Sequence, residues 1–530
     1  MIENVNFELR PLDLTIVGIY FVFVVSLGLY LSRKHESAED YFLAGRSMLW
    51  PMIGLSLFAS NISSTTLVGL AGDAYSTGIS VFNYEWMAAV ILVFFALFML
   101  PSVLRSRVYT IPELLERRFD HRARLYFSAL TIFLNILVDT AGTLYAGGLI
   151  IQLIFPQIPI WQTIAALAVV AGIYTAAGGL SAVIYTDALQ AILLLMGSVL
   201  ITFFALEQVG GWGNVVSQVS PEMLSLIRPP GDPGVPWPGL VTGVVLLGFY
   251  FWCTNQFMVQ RLLSARDEFH GRFGALFAGF LKLPVLFIMV LPGTIAILIY
   301  PDLPKPDLVY PTLMFDLLPA GILGLVAAGF TAALMSQIDS TLNSASTLVT
   351  MDFVRRWKPE LSPHRLMRVG QAVTVVFMFF AVLWAPQIEN FGSLFKYLQK
   401  ILSYAVAPVL SLFLVGFFWR RASASGAIVT LAVGTLAGLG LFVVVEVLGL
   451  FDLHFLYVAP LLFLLSSLVL VVVSLAKPDA DSSGADAFSW SPELLQSDTS
   501  ALNDTPWWRN YRLYSVLLLL LTAIIVFLFR

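Results

Sequence analysis

Long apolar runs of about twenty residues recur along the whole chain, separated by short polar connections. A helix rising 1.5 Å per residue needs about 20 residues to cross roughly 30 Å of hydrocarbon. The pattern therefore predicts an all-α polytopic membrane protein with fourteen transmembrane helices. The predicted spans are 14–32, 48–77, 84–104, 125–154, 160–177, 180–206, 238–262, 274–300, 319–353, 366–386, 390–418, 424–449, 454–476 and 512–529. Two connections are longer than the rest. Residues 207–237 read as an outer loop with a short helix, and 477–511 as an acidic, Ser/Asp-rich loop with Trp507 and Trp508 at the interface.

Composition narrows the class further. Only 12% of the 530 residues are charged and 58% are hydrophobic, against about 25% charged in soluble domains. That excludes a soluble enzyme and a disordered chain. The net charge of −4 provides no basic field for nucleic acid. One cysteine, Cys253, forms no internal disulfide, and no Cys/His cluster has metal-ligand spacing. The opening MIENVNFELRPLD is acidic where a signal peptide is basic, so the first apolar run is expected to remain as a helix.

Charge placement orients the spans. With both termini outside, 22 Lys and Arg fall in inner segments, Arg33, Lys34 and Arg261 among them. Four fall outside (Arg10, Arg228, Lys305, Arg530), and three (Lys282, Lys396, Lys400) lie within spans. This follows the positive-inside rule and places the chain in a cell membrane, both ends outside.

Two spans are interrupted by polar residues: Ser60 to Thr66 in the second and Cys253 to Gln256 in the seventh. Backbone may break at membrane depth only where protein or a wet cavity surrounds it. The breaks lie five spans apart, the spacing of corresponding helices in two five-helix halves of a transporter. Packing glue by Ser, Thr and Asn is the plainer alternative. Charged residues inside spans mark function by default; here they are Glu85, Asp139, Asp187, Lys282, Asp339, Lys396 and Lys400. Lys282 needs an internal partner, with Glu85 as the candidate, whereas Asp73 and Glu446 near span ends are expected to be solvated. Ser336, Asp339, Ser340 and Asn343 share one helical face. Its hard oxygen donors suit Na⁺, with Asp187 as a second carboxylate. The five histidines lie in loops or at span ends, a poor basis for enzymatic chemistry, and no mid-span arginine is evident.

The segments EDYFLAGRS, SLFASNISS, YTIPELLERRF, GGLSAVIYTDALQ, YFWCTNQFMVQRLLSA, FLKLPVLFIMVLPG, MSQIDSTLNSASTLVTMD and KYLQKILSY together resemble the sodium/solute symporter family. The likeness is to its sodium/glucose and bacterial sodium/galactose branch. It implies a leucine-transporter-type core of 5+5 inverted repeats, here 48–206 and 238–421, whose first and sixth helices are discontinuous. Residues 1–47 precede the core, 207–237 join its halves, and 422–530 add helices. It also implies Na⁺-driven uptake. Carried over, the main sodium site is Ala59, Ile62, Ala333 and Ser336, with Gln337 where the family has a second hydroxyl. A second cation site maps to Asp187, Ser336, Asp339 and Ser340. The solute contacts map to Asn61, Glu85, Lys282 and Gln399, with Tyr84, Trp252 and Phe395 as aromatic walls. Thr66, Gly248 and Phe251 depart from the galactose pattern, each removing polar reach. A sugar or polyol is the expected solute and no protein partner is evident. Proton coupling through Asp187 or Asp339, another solute (an amino acid or sialic acid), and a solute-gated channel or sensor are the alternatives.

Overall fold

The computed structural model describes all residues except 1–4, 6, 33–37, 178–179, 392, 480–488, 492–501 and 503–505. Arg33, Lys34, the two glycines opening GGLSAVIYTDALQ and most of the acidic 477–511 loop lie outside the described residues. The described chain is helical, with two isolated bridges and no strand. Among the described residues, nine helices are long and apolar enough to cross a membrane, or up to eleven when each of two bent pairs counts as one span. The bent pairs are Glu268–Lys282 with Leu286–Ile299, at 42°, and Leu394–Ala405 with Ala407–Phe418, at 57°. Helices also stand on the other predicted segments, including shorter apolar runs at Pro11–Val24 and Ile160–Val169.

Burial grades inward, as a solvent of lipid requires. Ala424–Phe442, Phe455–Ala476 and Tyr511–Leu528 expose Leu436, Leu464 and Leu520. At the centre, Ile322–Leu348 buries nearly every residue and packs against Leu180–Gln208 and the broken second span. The 207–237 connection carries the expected short helix, Trp212–Gln218.

Both expected interruptions are present, and local chemistry explains them. Trp50–Asn61 ends where Ile62 takes φ −82°, ψ 70°. Ser63 is extended, and its hydroxyl accepts the Thr66 amide as N-cap of Ser64–Thr77. In the seventh span the helix runs through a wide turn at Tyr250–Thr254 and stops at Asn255, with ψ 126°. The Asn255 side chain accepts the Phe257 amide at 3.2 Å and starts Gln256–Leu263. Short polar side chains thus replace the missing ladder bonds.

Close helix crossing depends on Gly293. A Cβ there would stand 2.2 Å from the Ala71 carbonyl oxygen of Ser64–Thr77, a backbone atom that cannot rotate away. Gly293→Ala is therefore expected to cost about 1–3 kcal/mol, read as a lowered melting temperature in detergent. An unchanged melting temperature would show that the two helices are free to separate.

Three charge placements differ from the sequence reading. Arg261, counted with the inner loops, is 1% exposed within Gln256–Leu263. Asp73, expected in solvent, is buried, because Ser64–Thr77 lies inside the bundle. Glu446 accepts from Lys400 Nζ at 2.6 Å and from the Tyr404 hydroxyl at 3.1 Å. The two residues near opposite ends of predicted spans thus neutralise each other.

Candidate functional site

A cavity lies between the first break and the turn of helix that leads into the second. From the first break come Ser60, Asn61, Ser63, Thr65 and Thr66, and from the seventh span Gly248, Phe251 and Trp252. Tyr84 and Glu85 enter from Asn83–Phe94, and Phe395 and Gln399, one helical turn apart, from Leu394–Ala405. Nine of the ten residues expected at the solute site therefore line one cavity.

Lys282 is the exception. It is fully buried and does not line the cavity; its Nζ donates to Glu85 Oε2 at 2.5 Å. The ammonium also sits 5.3 Å from the Trp252 ring centroid and 5.6 Å from that of Phe58. The lysine meets Glu85 rather than the cavity itself, whereas the sequence reading makes it a direct contact. The physical reason is that a buried ammonium is held by the nearest carboxylate.

The polar complement is small and specific. The Asn61 Oδ1 and the Tyr84 hydroxyl are buried without a hydrogen-bond partner among the described residues. Thr66 offers little, since its hydroxyl donates to the Asn61 carbonyl at 2.6 Å. Phe251 packs edge-on against Trp252, with centroids 5.3 Å apart, and Tyr84 against Phe395 at 5.1 Å. Space at Gly248 is taken by Ile91, whose Cδ1 would lie 2.4 Å from an added Cβ. Asp139, noted as charged but given no role, also lines the cavity.

Beside the cavity, backbone oxygens come free. The ladder closes from the Ile62 amide to the Phe58 carbonyl at 2.8 Å and resumes from Leu67 to Ser63 at 2.9 Å. Between these bonds no backbone amide donates to the carbonyls of Ala59 or Ile62. Across from them, Ile322–Leu348 carries Ala333, Ser336 and Gln337 within about one turn, all buried. The Gln337 Oε1 is buried without a partner among the described residues.

Arg261 organises the adjoining network, and sequence reasoning missed it. Its Nε donates to Ser56 Oγ at 2.7 Å and its Nη2 to Asp187 Oδ2 at 3.0 Å. The guanidinium also donates to the Phe257 carbonyl and to Ser340 Oγ. Asp187 further accepts from Ser56 at 2.5 Å, from Ser60 at 3.3 Å and from Ser336. A guanidinium therefore already engages Asp187 and Ser340, where the sequence reading sets a second cation. The signal was available: Arg261 lies only six residues past the break at Asn255.

Broken helices around a central cavity define a membrane transporter of the leucine-transporter type. The solved structure of a Na⁺-coupled sialic acid symporter, in a substrate-bound outward-open state, superimposes with a TM-score of 0.77 at 24% identity, over 90% of this chain and 100% of that one. A nucleobase-cation-symport-1 family transporter in a closed conformation gives 0.57 at 16% identity, over 86% and 99%. The chain belongs to the sodium:solute symporter family, whose model matches residues 41–434. Among its relatives, sodium/glucose cotransporter 4 of Danio rerio is 34% identical over 95% of this chain and 84% of its own length. Sodium/myo-inositol cotransporter 2 of Oryctolagus cuniculus is 36% identical, covering 81% and 70%. Sodium/mannose cotransporter SLC5A10 of Bos taurus is 35% identical, covering 91% and 89%. The chain is a membrane transporter of that family, not an enzyme, and Na⁺ is its coupled ion.

Proposed function

We propose that this symporter carries a sugar or polyol inward with Na⁺ by alternating access between the two broken helices. The carrying observation is the cavity itself: Asn61, Glu85 and Gln399 supply polar atoms beside the rings of Tyr84, Trp252 and Phe395. A polyhydroxyl solute needs donors and acceptors for its hydroxyls and a flat apolar wall for its C–H face. The curated relatives named for glucose, mannose and myo-inositol support that class.

The cation would rest on the Ala59 and Ile62 carbonyls, with Ala333, Ser336 and Gln337 opposite. These oxygens belong to the first broken helix and to Ile322–Leu348, so an ion between them favours the conformation that holds the two together. Solute affinity rises if that conformation also shapes the cavity. The Arg261 guanidinium on Asp187 and Ser340 favours one coupled ion over two. The two halves of the core are 48–206 and 238–421, each containing one break. The bias of arginine and lysine supports both termini outside a cell membrane.

A binding screen of sugars, polyols, amino acids and sialic acid in Na⁺ and in choline tests this reading. A hexose or inositol should bind at least tenfold tighter in Na⁺. Tight binding of an amino acid alone, or equal binding in both salts, would contradict it. Gln399→Ala should weaken sugar binding about tenfold, the effect of one lost hydrogen bond, while Na⁺ affinity stays within twofold. Equal loss of both would remove Gln399 from the solute site.

A further inference from the structure

Ser336 and Gln337 are neighbours on Ile322–Leu348, and successive residues of a helix point about 100° apart. Ser336 turns to Asp187, to which its hydroxyl donates. Gln337 turns the other way and lines the cavity, although it is only 4% exposed. Its amide oxygen is buried with no partner. An amide offers one acceptor and two N–H donors at opposite corners, so one side chain can serve two ligands at once. Buried polar atoms are nearly always satisfied, and an orphan beside a cavity calls for a ligand that completes it.

The surroundings say which ligands. Ser60 lines the same cavity and also donates to Asp187 at 3.3 Å. The cavity wall and the ion-side network are therefore one layer thick here. Within that layer stand the unpaired Ala59 and Ile62 carbonyls, and on the cavity side the orphaned Asn61 oxygen. We propose that Gln337 joins the two sites, its amide oxygen ligating the coupled Na⁺ while its amide nitrogen donates to a solute hydroxyl. Resting on the symport reading above, this adds the residue through which ion and solute strengthen each other's binding. A short hydroxyl at this position would ligate the ion but fall short of the solute. An ion on the amide oxygen fixes and polarises the amide, aiming its nitrogen at the solute hydroxyl, so binding of one favours binding of the other.

The test compares Gln337→Ser and Gln337→Met with the parent protein in detergent, using D-glucose, D-mannose and myo-inositol as probes. The coupling ratio is the Kd in choline over the Kd in Na⁺, and Na⁺ binding without sugar is followed by tryptophan fluorescence. The parent ratio should fall in the usual allosteric range of about 5- to 150-fold. In Gln337→Ser, whose hydroxyl still reaches the ion, the ratio should fall by up to about tenfold towards one, as one hydrogen bond is lost, and by more than Na⁺ affinity without sugar falls. Gln337→Met, equal in length but lacking both polar atoms, should lose Na⁺ affinity and coupling together. Full coupling in the serine variant, or intact Na⁺ affinity in the methionine variant, overturns the inference alone. A parent protein that binds every probe equally in both salts overturns the symport reading, and the inference with it.

Discussion

Lys282→Met should abolish concentrative uptake and weaken sugar binding at least a hundredfold. The Lys282 Nζ lies 2.5 Å from Glu85 Oε2, and both side chains are withdrawn from water. Removing one partner of a buried pair costs about 3–5 kcal/mol, because the other is left as an uncompensated charge. Glu85 is then no longer held in place, and the cavity loses its fixed carboxylate acceptor. The double variant Lys282→Met/Glu85→Gln removes both charges. Its melting temperature should recover, while sugar affinity stays low because the carboxylate is gone. A single variant that binds sugar normally would show that Glu85 faces the solute without help.

Arg261→Met carries the second large effect. It strips Asp187 of its only cationic hydrogen-bond partner among the described residues and leaves the carboxylate to hydroxyls of Ser56, Ser60 and Ser336. A loss of about 3–5 kcal/mol is expected, seen as poor accumulation of folded protein and a lowered melting temperature. Arg261→Met/Asp187→Asn should regain much of that stability. Arg261→Lys should not, since an ammonium lacks the planar fork that reaches Ser56, Asp187, Ser340 and the Phe257 carbonyl together. A single methionine variant as stable as the parent would show that the guanidinium does not hold Asp187 in place.

The contrast between these two cations shows what the chain declares openly and what it conceals. Apolar runs declare helices, since every backbone amide in lipid must find its partner within the segment. The breaks at Asn61–Ile62 and Asn255 were legible because capping residues stand where apolar ones should. Lys282 was legible as a buried charge in need of a carboxylate, for it sits in an unrelieved apolar run. Arg261 was not. It follows polar residues close to a loop, and charge counting along a chain carries no measure of depth. Only the three-dimensional approach of Asp187, 74 positions away, makes its burial tolerable. Asp73 was misplaced for the same reason, since the end of a span in sequence is not the end of the bundle in space.

The placement of Lys282 behind Glu85 and the cavity wall followed a similar limit. Sequence reading gathers residues into a site but does not rank them by distance from it. Lys282 therefore joined the solute contacts although Glu85 stands between it and the cavity. The same limit hid how Thr66 spends its hydroxyl on the Asn61 carbonyl, a bond within the break itself.

Sodium-driven accumulation is the most direct test of the account. A tenfold inward Na⁺ gradient supplies about 1.4 kcal/mol. A potential of roughly 100 mV, inside negative, adds about 2.3 kcal/mol per charge. One coupled ion then sustains a solute ratio of several hundredfold in sealed proteoliposomes loaded with the purified protein. Tracer hexose or inositol should concentrate to that order in outer Na⁺ and only equilibrate in outer choline. Accumulation that persists in choline, or that follows an imposed proton gradient without Na⁺, would contradict it.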